Sequence, residues 1–319
     1  MSSTPPRPPY DAELAAVLST LGFPHTMTTE HIKPMRGVNA SADPAKFNEH
    51  YVHKEVTIPG PGGDLILSVF QKRSPPPQPT AAIYHIHGGG MIIGNRFAGV
   101  TEILGYIQDF DAVLVSVEYR LAPENPDPAP IEDCFAGLEW VSANAAELGA
   151  DPNRVIIAGS SAGGGLAAGV SILARDRGSP KIYAQMLLCA MLDDRNQTVS
   201  SKQYVEVGTW SRGSNLMAWK CLLGERQGGD DVSVYASPSR ATDLSGLPTA
   251  FIDVGASEVF RDEDVAYASR LWECGVQAEL HVWPGAFHAF ELLAPGAAVS
   301  VAALKARGDW LRRILSQGS

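Results

Sequence analysis

Residues 158–165 read AGSSAGGG, two adjacent serines inside a run of small residues. The stretch follows the apolar, strand-length run RVIIAG (154–159) and opens into the helical pattern GLAAGVSILARDRG (165–178). That framing excludes a flexible linker. A dinucleotide-binding turn is a second reading, because Gly163, Gly165 and Ala168 match G-x-G-x-x-A, and Asp193 or Asp194 ends the next strand. Those acids fall about thirty residues on, whereas a ribose-binding acid belongs ~20 residues after the glycines. The third reading is G-x-S-x-G at a strand-to-helix turn, which presents its central serine as a nucleophile. The residues two before and two after that serine must be tiny, because strand and helix pass close together. Gly159-Ser160-Ser161-Ala162-Gly163 satisfies this with Ser161 at the centre, whereas centring on Ser160 puts Ala158 and Ala162 at the flanks. Ser161 is the candidate nucleophile, and no cofactor is expected.

A serine in such a turn needs a base later in the chain. Of the eight histidines only His281 and His288 follow residue 161. His281 falls inside the alternating strand AELHVW (278–283), where a packed or solvent-facing histidine is ordinary. His288 lies in the loop beyond it, WPGAFHAF, and is the candidate base. The acid that orients the base belongs on the loop after the preceding strand, TAFIDVG (249–255). Asp253 sits inside that strand; Asp262 and Glu263 fall in the first turn of a helical pattern, where they favour the dipole. Glu258 alone lies between strand and helix and is preferred, with Asp262 in reserve.

The stretch HIHGGGMIIG follows the strand AAIYHIH (81–87). Glycines at 88–90 let backbone N–H groups approach a substrate oxygen. Two donors from Gly88, Gly89 and Gly90, with the N–H of Ala162, would converge on an oxyanion. His85 and His87 share a strand at i and i+2, but no carboxylate-rich partner motif or H-E-x-x-H accompanies them, so no metal is expected.

Outward from these motifs, apolar runs at 112–119, 184–190, 249–255 and 278–283 alternate with helical patterns. That rhythm predicts an α/β fold, a mostly parallel sheet covered on both faces. Before it come two strand patterns, YVHKEVTI and DLILSVFQ, and the amphipathic stretch DAELAAVLSTLGF. The first ten residues, polar and proline-rich, are expected to be disordered. The rhythm breaks between 193 and 240, where the helical, aromatic-bearing SNLMAWKCLLGE replaces a strand. The expected division is therefore N-terminal cap helices over 1–50, core over 51–192, a cap insertion over 193–240, and core again over 241–319. Trp210 is a candidate substrate-binding residue; Met217 and Trp219 stand on an apolar helical stripe that is more often core.

A formal charge of −10 over 319 residues argues against a nucleic-acid partner. No apolar run is long enough to span a bilayer. The four cysteines lack metal or redox spacing, which fits a reducing, cytoplasmic setting.

Taken together, HGGG (87–90), YRLAPENPDPAPIEDC (119–134), GSSAGGGLA (159–167), MLDDR (191–195), the stretch from SPSRATDL to AYASRL (237–271) and PGAFHAF (284–290) resemble the hormone-sensitive-lipase-like esterases of the α/β-hydrolase superfamily. The resemblance implies Ser161 as nucleophile, Glu258 at the acid position and His288 as base. It places Gly89, Gly90 and Ala162 at the oxyanion donors, with Gly88 shaping their loop. Asp133 and Asp194 then read as scaffold. The chain departs from the family pattern at Glu258, where aspartate is usual; at Ser160, often acidic or threonine; and at Met91, where a bulky aromatic often stands. Met91 is expected to reshape a wall of the substrate pocket. The implied substrate is a small-molecule ester of short-to-medium acyl chain, or a lactone opened by the same residues, and the assembly a monomer or homodimer. A non-catalytic receptor is the rival of another class: plant gibberellin receptors resemble this family without the catalytic histidine, whereas here His288 persists.

Overall fold

The alternation of apolar and amphipathic runs becomes strands and helices in the computed structural model, which describes residues 4–22, 24–39, 50–74 and 76–316. Two short helices come first, α1 (Ala12–Leu18) and α2 (Thr29–Asn39). The Asp11 carboxylate caps α1, accepting from the N–H groups of Glu13 and Leu14 at 2.9 and 3.2 Å. Phe23, the last residue of the predicted first helix, lies outside the described residues. There follow β1 (Tyr51–Gly60), β2 (Gly63–Lys72), β3 (Thr80–Ile86), α3 (Val100–Ile107), β4 (Val113–Glu118), α4 (Ala129–Asn144), β5 (Ala150–Ser160), α5 (Ala162–Arg177) and β6 (Ala184–Leu188). The rest of the chain supplies α6 (Val199–Gln203), α7 (Arg212–Leu223), β7 (Thr249–Gly255), α8 (Arg261–Glu273), β8 (Ala278–Trp283), α9 (Phe290–Leu293) and α10 (Ala298–Ser316).

Among the described residues the strands form one eight-stranded sheet in the order β1-β2-β4-β3-β5-β6-β7-β8. β2 is antiparallel to both β1 and β4, and β3 to β8 run parallel. From β3 the chain goes to β4 on one side and returns to β5 on the other. This is the reversal of strand order at which open α/β sheets bind ligands, beyond the carboxyl ends of the strands. HGGG leaves the end of β3 and Ser161 leaves the end of β5, so the topology alone brings these two motifs together.

Successive residues of a strand feed different cores. Tyr84 and Ile157 pack with Leu166 and Phe135 on one face, while Ile83 and Ile156 pack with Leu104 and Trp310 on the other. Both faces are covered, which is why the inner parallel strands read as apolar runs, whereas β8 at the edge alternates.

Residues 4–10 correct an expectation. They form neither helix nor strand, yet they are held against the body. Ser257 Oγ donates to Pro9 O at 3.1 Å, and Asp11 N donates to Gly285 O at 3.0 Å. Tyr10 meets Phe287 edge-on at 6.3 Å. Proline cannot donate to a ladder, but its carbonyl still accepts, and that is the use made of it. Residues 1–3 lie outside the described residues. No helix of the described residues is long and apolar enough to cross a membrane.

Candidate active site

Ser161 stands between β5 and α5 with φ 58° and ψ −122°, a left-handed backbone that a serine adopts only under constraint. The surroundings supply the constraint. Its N–H donates to Leu188 O at 2.8 Å, and its carbonyl accepts from Gly165 and Met191 at 3.0 and 2.9 Å. The flanking glycines are obligatory: a Cβ on Gly159 would lie 2.1 Å from Gly163 O, and one on Gly163 would lie 2.0 Å from Ile86 O. These close approaches select Ser161, rather than Ser160, as the presented hydroxyl.

His288 Nε2 lies 2.9 Å from Ser161 Oγ, and its Nδ1 lies 2.5 Å from Glu258 Oε2. The second carboxylate oxygen accepts from Gly255 N–H at 2.9 Å, so Glu258 is anchored to the end of β7. All three side chains are buried, with 8%, 7% and 2% exposure for Ser161, His288 and Glu258. The loops carrying acid and histidine are laced together by Ala256 N to Trp283 O (2.7 Å) and Ser257 N to Ala286 O (2.9 Å). Phe260 meets the imidazole edge-on at 5.1 Å. Asp262 turns away: its Oδ2 accepts from Ser200 N–H at 2.7 Å and its Oδ1 from Arg261. Thr209, which no motif in the sequence marks, donates its hydroxyl to His288 O at 2.5 Å.

The loop Gly88–Gly90 borders the same cavity as Ser161 and His288, about 270 Å³ in volume. Gly89 and Gly90 have φ of +109° and +61°, and Gly89 O accepts from both Ile92 and Ile93 N–H at 3.0 Å. His87 and Tyr119 pin the loop's start. Their rings stack at 4.2 Å, Tyr119 OH donates to His87 O at 2.9 Å, and His87 Nδ1 lies 2.7 Å from Gly88 O. Burial holds the His87 imidazole down at about 4, and burial with the neighbouring His87 holds His85 at about 3, so both are neutral near pH 7.

Trp210 lines the cavity, as expected, and its ring packs so tightly on Gly90 that a Cβ there would lie 2.6 Å away. Met91 does not line it. With φ 61° just after Gly90, it turns a fully buried side chain into the core, and Ile93 borders the cavity instead. Trp219 is also fully buried in the core, and Met217 packs against that core rather than lining the cavity.

One cluster of possible metal ligands occurs among the described residues: Cys189, Glu258 and His288, with ligand atoms within 4.8 Å. Its chemistry disfavours a metal. Both imidazole nitrogens are hydrogen-bonded to Ser161 and Glu258, and burial pushes the Cys189 thiol well above its usual range, away from the thiolate a metal needs. Asp133 and Asp194 are scaffold, gripped by Arg120 and Arg240. His281 pairs with Glu279 and stacks on Trp283, and it does not line the cavity.

Known proteins resemble this chain in sequence and in fold. A family model described as the alpha/beta hydrolase fold matches residues 83–292. Carboxylesterase NlhH of Mycobacterium tuberculosis is 35% identical over 229 residues, 68% of this chain and 69% of that one. A solved bacterial heroin esterase superposes with a TM-score of 0.88 at 36% identity, covering 96% of this chain and 98% of the other. Esterase LipW from Mycobacterium marinum superposes with a TM-score of 0.85 at 30% identity, over 97% and 98% of the two chains. The strand order, the serine turn leaving β5, the glycine loop leaving β3 and these likenesses point one way: the chain belongs to the hormone-sensitive-lipase-like esterases of the α/β-hydrolase fold.

Proposed function

We propose that this chain is a serine carboxylesterase acting on short-to-medium acyl esters through Ser161, His288 and Glu258. The observation that carries the reading is the unbroken hydrogen-bond relay from Ser161 Oγ through the His288 ring to Glu258, opening on a largely apolar cavity. His288 Nε2 takes the hydroxyl proton as Ser161 Oγ attacks the ester carbonyl. Glu258 holds Nδ1–H and stabilises the imidazolium that forms. The N–H groups of Gly89, Gly90 and Ala162 stabilise the oxyanion, the loop being shaped by Gly88; each such donor lowers the barrier by about 3 kcal/mol. His288 then returns its proton to the departing alcohol oxygen, and water repeats the sequence on the acyl-enzyme.

α1, α2 and the 193–240 segment act as a cap over this machinery. In support, Thr26 Oγ1 pairs with Ser211 Oγ at 3.0 Å and Met27 N donates to Ser214 Oγ at 2.8 Å, while Met27, Met35 and Trp210 roof the cavity. The decisive measurement is turnover of p-nitrophenyl acetate by Ser161→Ala. Activity is expected to vanish with the circular dichroism unchanged; near-normal turnover overturns the assignment.

A further inference from the structure

Two cavities share a wall beside Ser161. The larger holds Ser161 and His288. The smaller, about 50 Å³, is bordered by Ser160 and, among others, by Glu102, Glu291 and Arg307. His85, Gly99, Ser160, Ala289 and Leu292 border both. The small recess is thus a side chamber of the main cavity, and its wall mixes apolar side chains, Ile103 and Leu188 among them, with ionisable ones.

Within that wall the groups differ in what they have left to offer. The Arg307 guanidinium is committed to Asp253, at 2.8 and 3.1 Å, and to Glu291, at 2.8 Å. His85 spends only Nδ1, on Ser116 Oγ at 3.0 Å. Its Nε2 faces Gly99, where a Cβ would stand 3.5 Å from it; the missing side chain keeps that approach open. The proposed ester hydrolysis makes no use of His85. Being neutral, it can donate or accept a hydrogen bond according to tautomer.

We propose that this recess is a subsite for a short acyl arm bearing an uncharged hydrogen-bonding group, a hydroxyl foremost, and that His85 Nε2 is the side-chain atom that binds it. The assignment rests on the esterase reading and extends it to the acid half of the substrate. Direction follows from proton transfer. The leaving oxygen must meet His288 Nε2, and His288 lines the large cavity but not the recess. The alcohol therefore fills the large apolar cavity, and the acyl arm is left to the recess. A volume of about 50 Å³ admits a hydroxymethyl or ethyl group. A carboxylate there would face Glu102 and Glu291.

The test compares p-nitrophenyl glycolate with p-nitrophenyl propionate, whose acyl arms match in size and differ by hydroxyl against methyl. Each kcat/KM is divided by the ester's own alkaline hydrolysis rate. The native enzyme is expected to prefer glycolate about tenfold. His85→Leu is expected to bring the ratio to about one by lowering the glycolate value alone. Gly99→Ala, whose methyl would stand 3.5 Å from His85 Nε2 and obstruct the approach to it, gives a second variant should the buried His85→Leu fail to fold; its ratio is expected to fall in the same direction. A native ratio near one overturns the subsite, as does a native preference that every folded variant retains. Absence of turnover for both esters and for p-nitrophenyl acetate would instead overturn the esterase reading itself.

Discussion

Glu258 is longer by one methylene than the aspartate usual at its position, and the structure shows where that length goes. One oxygen reaches back to Gly255 N–H and the other forward to His288. Glu258→Gln keeps the shape but loses the charge proposed to stabilise the imidazolium, so kcat for p-nitrophenyl acetate is expected to fall ~100-fold or more. Asp262→Asn should leave kcat nearly unchanged, because Asp262 serves Ser200 and Arg261. Steady-state kinetics on the pair decides, and the larger loss at Asp262 would move the acid there. Ser161, Glu258 and His288 were legible in the sequence because their places follow from chain order and from the ends of strands. Met91 was misread, since motif position does not reveal which way a left-handed residue turns its side chain. Thr209 was not legible at all: it acts on a main-chain carbonyl 79 residues away.

At the scale of elements, the junction of β3, β5 and α5 has no spare volume. Gly163→Val would drive a Cβ to 2.0 Å from Ile86 O, a backbone atom that cannot rotate aside. α5 would have to lift from the sheet, and stability to urea is expected to drop by about 3 kcal/mol or more, with activity lost in parallel. A variant of native stability would show that the helix is less tightly seated than drawn. β7 matched its apolar run to the residue because a buried parallel strand leaves an unbroken signature, while β8, half-exposed at the sheet's edge, matched through its alternation. β5 begins four residues earlier than its apolar run, since ADPN carries turn-type residues that are strand only because Ala150 pairs with Thr80. α2 escaped notice with Pro34 in its interior, a residue that ordinarily argues against helix.

For the whole molecule, strand order was only implicit in the sequence, as crossovers join segments that carry no mark of their neighbours. Buried ionisable groups then shape stability across pH. His85 and His87 have folded values of about 3 and about 4, below the unfolded imidazole at 6.5. Below pH 6.5 the unfolded chain binds more protons than the folded one, so stability falls as pH drops from 6.5 towards those values. Asp264 works in the other direction. It is fully buried, both its oxygens lack a hydrogen-bond partner, and burial pushes its carboxyl well above the usual range. The folded state holds its proton where the unfolded state has released it, so stability also declines as pH rises above the ordinary aspartate range. Urea midpoints measured from pH 4 to 9 are expected to flatten on the acid limb in His87→Asn and on the alkaline limb in Asp264→Asn. Limbs unchanged from the native protein would remove these groups from the account. The contact between Ser257 and Pro9 closes 248 residues of chain, and the bond between His288 and Ser161 closes 127. Order in time follows from these spans: during synthesis the sheet's centre can form before the loop carrying His288 exists, so Ser161 waits for the base proposed for it. The proposed relay therefore stays open until 127 residues beyond Ser161 have been added, whatever the sheet has built by then.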